Sequence, residues 1–165
     1  MPADDFRFLS GHFKVIHRRL PQRLVGSDAW TTFETELWGY PVMGGAAFVD
    51  EMRGALADGE FWGLTLRVHD PSTDQWSLYW VDTWNPQLCP PLTGSFNDGV
   101  GEFFGPQNEK GTVILARFLW TDTSEAGAQW EQAFSTDNGA NWETNWYMRF
   151  ERSTNDAQSG PPRAY

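Results

Sequence analysis

Between Phe13 and Phe150 the chain repeats one pattern: apolar residues at every second position, in short runs ended by Gly, Pro, Asn or Asp. Successive side chains of a strand point to opposite faces, so this period marks strands with one buried face; helical periodicity does not fit it. The runs fall near 12–20, 29–38, 46–53, 61–69, 75–82, 91–96, 100–105, 112–121, 128–135 and 142–151, about ten strands in all. DPSTDQ at 70–75 and NDG at 97–99 are tight-turn sequences, which makes hairpins of strands four and five and of strands six and seven. Only DEMRGALADG at 50–59 offers a short helix, with acidic residues ahead of Ala and Leu and a Gly to stop it; the same stretch also reads as strand three running into a loop.

A meander of this kind leaves two unpaired sheet edges, and closing the sheet on itself removes both. The expected fold is therefore all-β, an antiparallel up-and-down barrel of about ten strands, wide enough to keep an internal cavity. A flattened sandwich is the alternative. With 16% aromatic residues and 10 Trp, that interior should be lined by rings. Residues 1–152 make one barrel domain, and STNDAQSGPPRAY at 153–165 reads as a flexible tail.

The formal net charge of -10 and the absence of a basic cluster beyond Arg18 and Arg19 argue against nucleic acid and anionic membrane as partners. A single cysteine, Cys89, excludes an internal disulfide, and the start MPADDFRFL lacks a basic region followed by an apolar core; a soluble cytoplasmic protein is expected, monomer or homodimer.

Parity then assigns inward faces. Strand ten places Trp142, Thr144, Trp146, Met148 and Phe150 on the cavity side; strand nine adds Trp130, Gln132 and Phe134; strand five adds Trp76, Leu78, Trp80 and Asp82; strand four adds Trp62, Leu64, Leu66 and Val68. Strand one sends Phe13, Val15, His17 and Arg19 inward. Parity leaves open whether Glu34 and Glu36 of strand two and Arg117 of strand eight face the cavity.

Two kinds of chemistry follow. Trp62, Trp80, Trp130, Phe134, Trp142 and Trp146, with Gln132, Thr144, Arg19 and Arg117 as polar contacts, would bind a small hydrophobic or aromatic molecule, with an arginine meeting its carboxylate if it is anionic. His17 beside Asp82 or Glu36 would instead serve as acid and base in a cofactor-independent isomerase, cyclase or hydrolase. The purely structural alternative pairs Arg19 with Asp82 at one barrel end and leaves His17 simply hydrogen-bonded. No metal is expected, because His12 and His17 face opposite sides and His69 stands alone. GVGEFFG at 99–105 has neither the spacing nor the following helix of a nucleotide loop. STDNGANW at 135–142 matches the Asp box known from sialidases, but a glycosidase needs two carboxylates at defined separation, which the motif does not supply; it reads as a hairpin turn.

FRFLSGHFKVIHRRL at 6–20, GLTLRVHDPSTDQWSLYWVD at 63–82, GSFNDGVGEFFG at 94–105, ARFLW at 116–120 and QWEQAFSTDNGANWETNWYMRFER at 129–152 resemble an uncharacterised bacterial calycin-like family, relatives of the lipocalin and fatty-acid-binding-protein barrels. GHF at 11–13 looks like the Gly-x-Trp that opens lipocalin barrels, with Phe13 in place of Trp. The resemblance implies that an arginine of the last strand, Arg149 or Arg152, covers that ring at the closed end, and that the barrel keeps a cavity for a hydrophobic or aromatic small molecule. It implies no reaction, because this architecture hosts carriers, haem binders and cofactor-free enzymes alike; no cofactor is expected, since haem would want a histidine near the last strands and none lies beyond His69.

Overall fold

The computed structural model describes residues 4–154. Ten strands run β1 (Gly11–Arg19), β2 (Thr31–Val42), β3 (Ala47–Leu56), β4 (Gly59–Asp70), β5 (Gln75–Asp82), β6 (Leu92–Asn97), β7 (Val100–Glu109), β8 (Thr112–Ser124), β9 (Gly127–Ser135) and β10 (Glu143–Arg152). Each pairs with its neighbours in sequence, and β1 pairs antiparallel with β10 to close the barrel. The fold is thus the all-β, closed up-and-down barrel the alternation predicts, and it is consistent with a calycin-like fold. From Asn155 onward the expected tail lies outside the described residues.

The predicted turns are where the backbone needs them. Asp98 and Gly99 take positive φ of 49° and 80° between β6 and β7, the geometry a two-residue hairpin demands. Asp74, at φ 55°, turns β4 into β5. The stretch 50–59 is not helical: β3 continues to Leu56, and two turn residues lead directly into β4. Asp50, which resembled a helix-starting acid, faces inward with Phe48 and Met52 and is 1% exposed.

Inward parity holds on β1, β5 and β9 and fails in two places. On β4 the inward residues are Phe61, Gly63, Thr65, Arg67 and His69, while Trp62, Leu64, Leu66 and Val68 lie on the half-exposed outer face. Two interior contacts select that register over the more apolar one. Arg67 forms a buried ion pair with Asp50, and the Trp80 ring lies so close over Gly63 that no Cβ fits there. Outside, Trp62 sits under the Arg53 guanidinium at 5.2 Å. On β10 a bulge at Asn145 shifts the register between Thr144 and Trp146, so parity flips. Trp146, Met148 and Phe150 point inward as expected; Thr144 pairs with Ala133 on the outer face and Glu143 takes the inner one.

One barrel end is plugged. A 3-10 turn at Arg7–Leu9 carries Phe6 and Leu9 into the interior, both 0% exposed. Phe6 meets Trp76 and Phe96 edge to face, each at 5.1 Å between ring centroids; burying such a ring contributes about 2 kcal/mol. Arg152 locks the plug from outside: its guanidinium lies 4.5 Å over the Phe13 ring and donates to the carbonyls of Phe8, Ser10 and Glu125. Arg152 therefore takes the position over Phe13, while Arg149 points outward to Glu151 at 2.9 Å.

Because Arg152 satisfies three main-chain acceptors at once, Arg152→Met is expected to lower unfolding stability by about 3 kcal/mol, read as a shifted urea midpoint at unchanged slope. A loss below about 1 kcal/mol, the size expected of a surface ion pair, would contradict the locking role.

Candidate functional site

In the middle of the barrel lies a cavity of about 60 Å³. Trp80, Trp120, Trp130 and Trp146 wall it with Phe118 and Phe150, and Leu37, Met52, Leu78 and Met148 fill the gaps between rings. Its polar lining consists of Asp50, Thr65, Arg67 and Gln132. An engineered cavity of about 150 Å³ accepts benzene, so this space as it stands admits a group of a few heavy atoms, and a larger guest requires its walls to move.

Of the sequence-predicted binding residues, Trp80, Trp130, Gln132 and Trp146 line the cavity. Gln132 is steadied by donating its Nε2–H to Asn145 Oδ1 at 2.9 Å. Phe134 faces inward but lies toward the open end, with the Arg23 guanidinium 5.4 Å from its ring. Trp62, Trp142, Thr144 and Arg117 are outside. Arg117 stands on the outer face between Glu131, at 3.2 Å, and the Trp142 ring, at 5.0 Å, because Ala116 and Phe118 take the inward positions of β8. Trp142 packs on Gly139 and Phe104, not into the barrel.

Arg19 enters the mouth, as parity requires, between the Trp84 and Trp146 rings at 5.1 and 4.7 Å. Burial and the nearby Arg23 charge push its pKa down to about 10, against the opposing pull of Asp82 and Glu109. Among the described residues no ion pair joins Arg19 to Asp82. Asp82 is engaged elsewhere: it accepts the Trp80 Nε1–H at 2.7 Å and the amides of Trp84 and Asn85 at 2.8 Å, fixing Trp80 as a roof over the cavity. The segment after β1 crosses the same end, held by Arg23 on Glu109 at 2.9 Å and by the Leu24 amide on Glu143 at 2.8 Å.

His17 is 0% exposed and stacks on Phe33 at 4.3 Å. Its Nδ1 accepts the Trp146 Nε1–H at 3.1 Å, which fixes the neutral tautomer with the proton on Nε2, donated to Thr35 Oγ1 at 2.8 Å. Glu36 faces outward and meets His12 at 3.1 Å, and Asp82 is spent on Trp80, so neither carboxylate is brought to His17. Desolvation, assisted by the Arg19 charge, lowers the His17 pKa to about 3. With both ring nitrogens occupied and no carboxylate beside it, His17 orients the Trp146 wall.

The Asp-box residues build a turn. Gly139 donates to Ser135 Oγ at 2.8 Å, and Asp137 accepts the Asn141 amide and side chain at 2.8 and 2.7 Å, which with Ser135 holds its carboxyl down at about 2. Among the described residues no cluster of three His, Cys, Asp or Glu has the geometry to hold a metal. Burial raises the pKa of the half-buried Cys89 thiol, the reverse of an activated nucleophile.

Sequence reasoning missed the polar centre, Asp50 and Arg67. A signal was present: in the β3–β4 hairpin Phe48 opposes Arg67 and Asp50 opposes Thr65, so the acid and the base are diagonal neighbours on one face. Parity does not assign Trp120, because both faces of β8 are apolar. Comparison of the sequence with protein-family models and with curated proteins finds no match.

An unfolded histidine titrates near ~6.5, so between that value and about 3 the unfolded chain binds a proton that folded His17 refuses. The stability contributed by neutral His17 is complete above ~6.5 and is lost as the pH falls through the window below it. Proton NMR is expected to show His17 ring signals that do not move between about pH 8 and 5; a midpoint near the unfolded value would contradict its buried neutral state.

Proposed function

We propose that this chain is a binding barrel, a carrier or sensor for a small hydrophobic or aromatic molecule, related to the calycins. One observation carries the reading: four tryptophans converge on a space whose lining also includes buried donors without protein partners among the described residues, Arg67 Nε and Trp120 Nε1. A core selected for stability alone tends to fill its voids and pair its polar groups. Retaining a void beside unpaired donors is the general form of a small-molecule site.

The mouth supports the same reading. Its closure rests on a strap after β1 held by the Arg23–Glu109 ion pair, the Leu24 amide on Glu143 and the Leu20 amide on the Asn145 carbonyl, and Trp84 is 48% exposed beside it. Such a closure can open without breaking the barrel ladder. An acid and base reading of His17 with Asp82 or Glu36 has no comparable support, since each of the three is engaged with another partner. Solvated ion pairs on the outer face, Lys14 with Glu34 and Arg53 with Glu60, favour a barrel that faces water; among the described residues no helix is long and apolar enough to cross a membrane.

Native mass spectrometry of the protein purified from its source is expected to show a small molecule that is released on unfolding. A bare chain mass, together with tryptophan emission that ignores a panel of small aromatic and aliphatic compounds, would overturn the proposal.

A further inference from the structure

We propose that the cavity selects an uncharged molecule through one hydrogen-bond acceptor, a carbonyl-type oxygen, received by the Nε–H of Arg67 and the Nε1–H of Trp120. This rests on the reading of the barrel as a small-molecule binder and specifies what that binder recognises.

Three observations lead there. First, Arg67 and Trp120 both line the cavity, each is 3% exposed, and both donors are buried without a partner. A buried donor with no acceptor is a standing cost that a ligand oxygen removes. Second, the two donors belong to neighbouring groups. Arg67 reaches from β4 until its guanidinium lies 5.8 Å from the Trp120 ring of β8, so one small molecule can meet both. A carbonyl oxygen has two lone pairs and can accept from each.

Third, the charge balance excludes an anion. Asp50 and Arg67 are the only charged residues in the cavity lining, and Arg67 Nη1 already meets the Asp50 carboxylate. A ligand carboxylate would bring a second negative charge beside Asp50 in a low-dielectric interior, or would have to pull Arg67 away and leave Asp50 unpaired. The other arginines near the barrel interior do not line the cavity: Arg19 lies between the Trp84 and Trp146 rings at the mouth, Arg23 pairs with Glu109, and Arg152 sits over Phe13 behind the plug. The site therefore offers donors without net charge, and the tryptophan walls take the apolar remainder of the guest.

Three probes of matched size and shape separate the possibilities: acetone, a neutral acceptor; isobutene, its hydrocarbon counterpart, dissolved under pressure; and acetate, the anion. Each is titrated into the 15N-labelled full chain while the Arg67 Nε–H and Trp120 Nε1–H resonances are followed. Acetone is expected to shift both signals saturably and to bind more tightly than either other probe. Trp120→Phe, which keeps a ring in place but removes the donor, is expected to weaken acetone about 3- to 10-fold while the Arg67 signal still responds. Isobutene or acetate binding as tightly as acetone, or an unchanged acetone affinity in Trp120→Phe, overturns the acceptor inference and leaves the binding-barrel reading standing. If none of the three probes moves either resonance, the cavity is not a binding site and both readings fall.

Discussion

The antiparallel seam between β1 and β10, running from Phe13 opposite Arg152 to Arg19 opposite Trp146, is the contact on which the rest of the molecule depends. Without it the meander would expose two unpaired strand edges and would have no inside. Once it forms, each strand has one solvent face and one enclosed face. The seam also sets both barrel ends: it brings Arg152 beside Phe13 to lock the plug, and Arg19 beside Trp146 at the mouth. His17 lies on the same seam and its Nδ1 fixes the Trp146 ring against the cavity.

Within that enclosure, polar groups are placed by how fully they can be satisfied. His17 is neutral and fully bonded, and Gln132 is tied to Asn145. The Asp50–Arg67 pair is charged and lies on the cavity wall, and Arg67 Nε, like Asn145 Nδ2 and Arg19 Nε, has no partner among the described residues. Buried ion pairs are often replaceable by apolar residues without loss of stability. This one lies on the wall of a void and under a plug of aromatic rings. Arg67 also stacks 4.7 Å from Phe6, so the cavity wall and the plug share one side chain.

The alternation and turn chemistry made the architecture legible: all ten strands, their order and the hairpin at Asp98–Gly99 follow from them. Side-chain direction was legible only where one face was plainly more apolar, as on β1, β5 and β9. On β4 the rule that the apolar face is the inner one pointed the wrong way, because Trp62, Leu64, Leu66 and Val68 outweigh a true interior of Phe61, Gly63, Thr65, Arg67 and His69. A barrel of this size can absorb a charge on its inner wall when a diagonal partner exists, and no strand read alone reveals that partner. The bulge at Asn145 carries no local signal either; it moves Thr144 outward and severs Trp142 from the cavity. The cavity was thus half legible, as aromatic walls without the ion pair between them.

The most direct test is a crystal structure of the protein isolated from its source without exchange of bound molecules. The account predicts non-water density between the four tryptophans, with an uncharged acceptor atom about 2.7–3.2 Å from both Arg67 Nε and Trp120 Nε1. A cavity holding only water, or a bound molecule that leaves those two donors untouched, would contradict it.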